Sequence, residues 1–319
     1  MLARQSPKQS YPATSASPAH WLSTADWKAF EDAGTAAHRA CSLHGAWVER
    51  LGEDLLINHQ SPALLASLLE EWKLRAPAYA YTPQRIFSRP LPLQNAERSA
   101  PVLLEGDPAL PVETVVSESR MRFGLDFSAG YSVGLFLDQR ANRALLRTAP
   151  LKRVLNTFAY TCSFSVAAAL AGAETLSVDL SQKSLERGRH NFVLNELDPS
   201  AHRFVADDVQ DLLPRLARRK EQFDAIILDP PTFSRGNKGR RFRAEDDLQA
   251  LLSAALEITA PGGRILLSTN CTKLRVADLE TIARFALKNA RLQGTLQHSP
   301  PLVDFPVKTG ASTLWIQRR

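Results

Sequence analysis

RVLNTFAYTCSFSVAAALAGAETLSVDL, residues 153–180, is the stretch on which the fold turns. RVLNTF reads as a short buried strand, the polar turn AYTC follows it, a helix is predicted from Ser163, and ETLSVDL is a second strand. Strand, turn, helix and strand in so few residues make a crossover unit, which places the two strands parallel. The rhythm continues downstream, with strands predicted at HRFVADD, FDAIILDPP and GRILLSTNC and helices starting near Gln182, Val209 and Glu245. Such alternation implies a parallel sheet with helices on both faces. It then breaks: LQGTLQHS and STLWIQRR alternate in polarity with no helix between them, so they are expected to pair antiparallel and close the sheet.

Upstream the pattern is different. Residues 1–20 lack periodicity and read as a disordered tail, and residues 21–115 as a small α+β domain suited to substrate binding. Within it, Ala25 to Leu43 has helical spacing, WVERLGEDLLI suits a strand or hairpin, and SPALLASLLEEW is an amphipathic helix capped by Ser61 with Pro62 at its first position. AYTPQRIFSRPL and APVLLEGD read as short strands, and the join to the second domain, 116–319, falls between Pro101 and Glu118. RMRFGLDF and YSVGLFLDQR, separated by Ser-Ala-Gly, predict a hairpin over 120–140.

The whole chain sets wider bounds. Its 319 residues, 44% of them hydrophobic, can bury a full core, yet its apolar runs are too short for a membrane span and its start lacks the apolar core of a signal peptide. A cytoplasmic protein is expected. Cys41, Cys162 and Cys271 stand far apart without the paired spacing of a zinc or redox site, so no metal is expected. The net charge of +6 favours a polyanionic partner, RNA among them.

In open α/β sheets ligands bind beyond the carboxyl ends of the strands, where the strand order reverses. The turn FAYTC contains no glycine, whereas a pyrophosphate cradle needs bare backbone. A ligand with a carboxylate, a sulfonium and an adenosine but no phosphate, such as S-adenosylmethionine (SAM), needs no such cradle. Thr161, Ser163 and the amides opening the helix can hold its carboxylate. Asp179, nineteen residues after Tyr160, can accept from both ribose hydroxyls, and Asp207 or Asp208 can receive the adenine amino group. Each acid is also a helix-capping residue. Asn156, Leu180, Ser181, Asn191 and Val209 complete the expected cofactor shell.

Four blocks, GYSVGLFLDQRANR, VLNTFAYTCSFSVAAALAGA, VDLSQKSLERGRHNFVLNEL and ILDPPTFSRGNKG, carry a family resemblance. From about Pro83 to the C-terminus the chain resembles bacterial class I SAM methyltransferases. The similar enzymes are the large-subunit rRNA cytosine-C5 methyltransferases that carry a PUA domain, and the N7-guanine methyltransferase half of a fused rRNA enzyme. The resemblance implies a Rossmann-like doubly wound sheet closed by an antiparallel hairpin, SAM as cofactor and RNA, in particular rRNA, as substrate. It also implies that Phe136, Asp138, Gln139, Arg140, Phe158, Tyr160 and Thr161 contribute to the SAM site. Cys162 stands where that family has a glycine, and the stretch before the match is too short for a PUA domain of the family's kind.

Asp229 ends the fourth strand of the repeat and Cys271 the fifth, and neighbouring strands lie about 4.8 Å apart. Methylating C5 of cytosine needs a thiolate to add at C6 and an acid at N3, roles that suit Cys271 and Asp229. The resembling N7-guanine enzyme has the same DPPTFS loop, followed after the fifth strand by an asparagine-rich segment, as Asn270 is here. In that chemistry Asp229 and the Pro230 carbonyl position the base, Pro231 shapes the loop, Phe233 offers a stacking face and Cys271 only packs. The basic residues Lys238, Arg240, Arg241 and Arg243 follow closely and suit RNA phosphates, or simply a solvated loop. Transfer to another base nitrogen or a protein nitrogen, and a SAM-sensing RNA-binding module without transfer activity, are the alternatives.

Overall fold

The computed structural model describes residues 18–91, 99–130, 132–235, 241–306 and 309–319. The tail reading falls mostly outside them. From His20 the chain is already in a strand, β1 (His20–Trp21), paired with β2.

The N-terminal part is a six-stranded sheet in the order β1-β2-β3-β4-β5-β6. Its other strands are β2 (Ala37–Leu43), β3 (Ala46–Leu51), β4 (Asp54–His59), β5 (Arg85–Pro90) and β6 (Val102–Gly106). Helix α1 (Thr24–Asp32) and helix α2 (Pro62–Tyr79) cover one face, where Trp27, Trp72, Tyr79 and Tyr81 stack into an aromatic core. Ser61 caps α2 through its hydroxyl, with Pro62 in the first turn, as the sequence implies. The helix expected over Ala25 to Leu43 stops early. Gly34 takes φ +67°, and the following residues form β2, six of whose seven residues are buried. A strand buried on both faces shows no alternation, so its apolar residues fall as readily at helical spacing.

The hairpin expected over 120–140 is likewise displaced. β7 (Glu113–Glu118) pairs with β8 (Met121–Asp126), whereas the segment 132–136 runs as irregular chain into a 3-10 turn (Leu137–Gln139) and helix α3 (Arg140–Thr148). Side chains take its carbonyls: Tyr160 Oη donates to Ser132 O at 2.7 Å, Thr161 Oγ1 to Gly134 O at 2.6 Å and Arg143 to Phe136 O at 2.9 Å. With these bonds made, the segment needs no strand partner.

The C-terminal part is the expected doubly wound sheet, in the order β11-β10-β9-β12-β15-β17-β16. Its strands are β9 (Arg153–Thr157), β10 (Glu174–Asp179), β11 (Arg203–Ala206), β12 (Phe223–Leu228), β15 (Thr259–Thr269), β16 (Gly294–His298) and β17 (Ser312–Arg318). The first four and β15 run parallel, while β17 inserts antiparallel between β15 and β16. Helices α4 (Ser163–Leu170), α5 (Gln182–Leu194), α6 (Val209–Arg218), α7 (Ala244–Glu257) and α8 (Val276–Asn289) lie on the two faces. A two-stranded ribbon, β13 (Phe233–Arg235) and β14 (Arg241–Arg243), stands beyond β12. The strand order reverses between β9 and β12, and there the cavity lies. No helix of the described residues is long and apolar enough to cross a membrane.

The two sheets share one apolar cluster: Leu56 and Phe87 of the first join Phe123 and Leu125 of β8 and Phe164 and Val166 of α4. A polar joint adds to it. Asp304, 3% exposed, accepts from the Arg39 backbone N–H at 3.0 Å and is bridged by both terminal nitrogens of Arg140.

Candidate functional site

The turn after β9 is the foundation of the site. Phe158, Tyr160 and Cys162 alternate through positive φ of 52°, 46° and 60°, and none is glycine. Each such residue costs on the order of 1–2 kcal/mol, so the surroundings must hold them. The Tyr160 N–H donates to Asp179 Oδ2 at 2.8 Å and the Cys162 N–H to Ala159 O at 2.7 Å. Cys162 is wholly buried against Gly188 of α5: a Cβ at that glycine would stand 2.4 Å from its sulfur. Burial pushes the Cys162 thiol up to about 12, which makes it packing material rather than a nucleophile.

Around this turn opens a cavity of about 280 Å³. Of the residues expected from sequence, Phe136, Asp138, Gln139, Phe158, Tyr160, Ser163, Asp179, Leu180, Asp229, Pro230 and Pro231 line it. Asp208 and Val209 line a small adjoining recess with Phe158, Leu180 and Phe242. Asp179 Oδ1 also accepts from the Ser181 N–H at 2.8 Å; burial raises its pKa, and its two amide bonds oppose that rise. Asp138 Oδ2 accepts from the Ala311 N–H at 2.9 Å, which draws the segment before β17 over the cavity.

Other expected residues support the site from outside it. Asn156 donates to Ser165 Oγ beneath α4, and Thr161 is committed to Gly134. Asn191 braces the turn by donating to Thr161 O at 2.9 Å. Ser181 caps α5, and Asp207 pairs with Arg215. Arg140 points to Asp304 and lies 4.5 Å from the Phe30 ring, away from the cavity. It is Arg143, one helical turn later, that reaches the cavity: fully buried, it forms a two-point pair with Glu118 at 2.7 and 2.5 Å. Its Nη1 stands 3.5 Å from Ser163 Oγ at the start of α4. The i, i+3 spacing in QRANR was the available signal.

Asp229 and Cys271 part company. Asp229 lines the cavity, and burial lifts its pKa to about 6; Asp138 adds to the rise, whereas the Ser268 hydroxyl and Arg143 oppose it. Cys271 turns into the opposite apolar cluster with Leu248, Leu252 and Leu279, its sulfur 3.9 Å from Glu245 Oε1. Its neighbour Asn270 lines the cavity instead, tied to the loop by Thr232 Oγ1 donating to Asn270 Oδ1 at 2.8 Å. Phe233 is 48% exposed, and Arg241 and Arg243 are exposed on β14; Lys238 and Arg240 lie outside the described residues.

These groups suit SAM. Three carboxylates, Asp138, Asp179 and Asp229, line the cavity, which repels phosphate and attracts a sulfonium and ribose hydroxyls. One guanidinium, Arg143, stands beside Ser163 at a helix N-terminus where a carboxylate is favoured. The recess between Phe158 and Phe242, whose rings are 5.9 Å apart, offers an apolar slot with Asp208 at its rim. When bound, SAM supplies the methyl group.

Comparison with known proteins agrees. A family model described as S-adenosylmethionine-dependent methyltransferase matches residues 40–314. The chain belongs to this family. The methyltransferase match begins well before Pro83, so it takes in most of the N-terminal sheet. The methyltransferase is 34% identical to ribosomal RNA large subunit methyltransferase I of Salmonella arizonae over 310 residues, covering 90% of this chain and 72% of that protein. It is 42% identical to ribosomal RNA large subunit methyltransferase K/L of a Psychrobacter species over 169 residues, 51% of this chain and 21% of that one. It spans about half the length of other curated relatives it matches. Among solved structures it resembles SMU.776 complexed with SAH, with a TM-score of 0.78 and 25% identity, covering 92% of this chain and 79% of that one.

Proposed function

We propose that this SAM-dependent methyltransferase acts on large-subunit ribosomal RNA and methylates a ring nitrogen, guanine N7 in the first instance, without a covalent intermediate. The rRNA substrate follows the names of the relatives. The choice of atom rests on one observation: the sulfur of Cys271 packs beside Glu245 in the apolar cluster, whereas Asp229 and Asn270 line the cavity. A nucleophile that must add to a base has to face that base.

Asp229 and the Pro230 carbonyl accept hydrogen bonds from the edge of the base, and Pro231 closes the loop over it. Phe233, exposed beside the cavity, provides a face on which a base or its neighbour stacks. Guanine N7 carries a lone pair and no proton, so transfer to it needs alignment rather than a base catalyst. The positive charge that develops on the ring falls among the carboxylates Asp138 and Asp229. A stacked base is out of reach, so the target nucleotide must be turned out of its helix or lie in a loop. Arg241 and Arg243 on the ribbon β13–β14 contact phosphates and set the register of the strand.

Covalent transfer to cytosine C5 through Cys271 is the second reading, carried by the position of that residue two places after the end of β15. The deciding experiment incubates the protein with SAM and unmodified rRNA transcripts and identifies the new nucleoside by mass spectrometry. A methylated guanine, with turnover largely kept in Cys271→Ala, is the expected outcome. 5-Methylcytosine, lost in the same variant, would overturn it.

A further inference from the structure

A buried chain of hydrogen bonds runs from the closing strand of the sheet to the cavity. Trp315 Nε1 on β17 donates to Asn142 Oδ1 at 2.9 Å, Asn142 Nδ2 to Gln139 Oε1 at 2.8 Å, and Gln139 Nε2 to Ser268 Oγ at 2.9 Å. Ser268, near the end of β15, follows Leu267, which pairs in register with Leu228 of β12, so it stands beside Asp229 on the neighbouring strand. Gln139, Asn142 and Ser268 are at most 2% exposed and Trp315 is 5% exposed, so water does not compete for these bonds.

The polarity of the chain follows from its first member. An indole N–H can only donate, so the atom of Asn142 facing Trp315 must be the carbonyl oxygen. Asn142 therefore presents its NH₂ group to Gln139, which must answer with its own carbonyl oxygen and turn its NH₂ group to Ser268. Ser268 is left accepting from Gln139, and its single proton is free for Asp229. The Ser299 hydroxyl reinforces the assignment by donating to the same Asn142 oxygen at 2.7 Å while accepting from Thr313 at 2.7 Å. Two amides whose orientation is otherwise reversible are thus fixed by one donor-only group.

We propose that Trp315, Asn142, Gln139 and Ser268 form a relay of fixed polarity that positions Asp229 and keeps a hydroxyl proton directed at its carboxylate. Its importance for turnover rests on the reading of Asp229 as the group that holds the acceptor base. The four are positioning residues. They supply a donor where burial and Asp138 both disfavour the ionised acid, and they act alongside Arg143, the cation that faces it from α3. The relay also explains why Gln139, expected as a cofactor ligand, spends both ends of its amide on protein partners while lining the cavity.

The test is a titration of the full chain carrying ¹³C-carboxyl aspartate, which reads Asp229 without needing a substrate. Ser268→Ala should raise the Asp229 midpoint by about one pH unit, and Ser268→Thr should restore it. Asn142→Asp presents only acceptors, so Gln139 must turn over and draw the Ser268 proton to its own oxygen. That variant should raise the midpoint too, and its effect should shrink in the Ser268→Ala background, whereas a purely Coulombic effect would be equal in both. An unmoved midpoint in Ser268→Ala, or equal shifts from Asn142→Asp in the two backgrounds, would overturn the relay. Turnover of Asp229→Asn tests the functional reading separately: unimpaired methyl transfer there would remove Asp229 from the reaction and leave the titration result standing.

Discussion

Adding one methyl group at Gly188 should break the cofactor turn, and removing one side chain opposite should repair it. In Gly188→Ala the new Cβ would stand 2.4 Å from Cys162 Sγ and 3.0 Å from Cys162 Cβ. Comfortable contact is about 3.5–4.0 Å, so helix α5 or the turn must yield by roughly 1 Å. Cys162 is wholly buried and fixed at φ 60° at the start of α4, so it has little room to move. Overpacking of this kind costs about 1–3 kcal/mol, against which the better helix propensity of alanine returns about 1 kcal/mol. The net expectation is a loss of up to about 2 kcal/mol, with SAM affinity weakened about tenfold as the turn shifts. Cys162→Gly alone should be close to neutral, since relief of the positive φ offsets the lost packing. In that background Gly188→Ala should become stabilising by about 1 kcal/mol, a coupling of about 1–3 kcal/mol. Urea denaturation of the four proteins, with calorimetric SAM titration, measures both quantities. Equal effects of Gly188→Ala in the two backgrounds would refute the reasoning.

Three further outcomes are expected. Asp229 has its pKa raised to about 6, so the native state holds a proton there that the unfolded chain releases near 4. Its ionisation therefore costs stability as pH rises through that window, and Asp229→Asn should stabilise the free protein by about 2–3 kcal/mol at pH 7.5 and not at pH 4; thermal melts at the two pH values check this. The same ionised carboxylate favours a cation, so wild-type SAM affinity should climb through about pH 6, whereas a flat profile would remove Asp229 from the cofactor site. Asp179→Asn should weaken SAM binding by about ten- to a hundredfold through the lost charged acceptor, measured by titration calorimetry. Arg241→Ala and Arg243→Ala should each lower the salt dependence of RNA binding by about one unit of slope while SAM affinity is unchanged; an unaltered slope would place the ribbon outside the RNA path.

The parallel sheet was legible because most of its strands are short apolar runs separated by helical segments, and Asp179, Asp208 and Asp229, at or just past the ends of β10, β11 and β12, lie beside the cavity or its recess. The hairpin β7–β8 was not, for a reason the turn makes plain. Ser119 and Arg120 both take positive φ, 49° and 65°, the two-residue geometry that sequences normally announce with Asn-Gly. Here tertiary bonds enforce it instead: the Ser119 N–H donates to Thr35 Oγ1 at 2.9 Å and the Arg120 N–H to Gly34 O at 3.0 Å. The two arginines of QRANR part for a similar cause. Arg140 and Arg143 are indistinguishable in QRANR, and their roles separate only because Asp304 and Glu118, distant in sequence, claim one each. Cys271 was expected to end the fifth strand, but β15 stops at Thr269, and in the irregular chain beyond it Asn270 lines the cavity while Cys271 joins the apolar cluster.

The insertion of β17 between β15 and β16 has a temporal consequence. Of the seven strands it is the last to be synthesised, yet it occupies an interior place, so the sheet cannot close until everything before it has left the ribosome. Ala311, which anchors Asp138, and Trp315, which anchors Asn142, arrive with that strand. A nascent chain can form the cofactor turn early and still lack a finished cavity until β17 is in place.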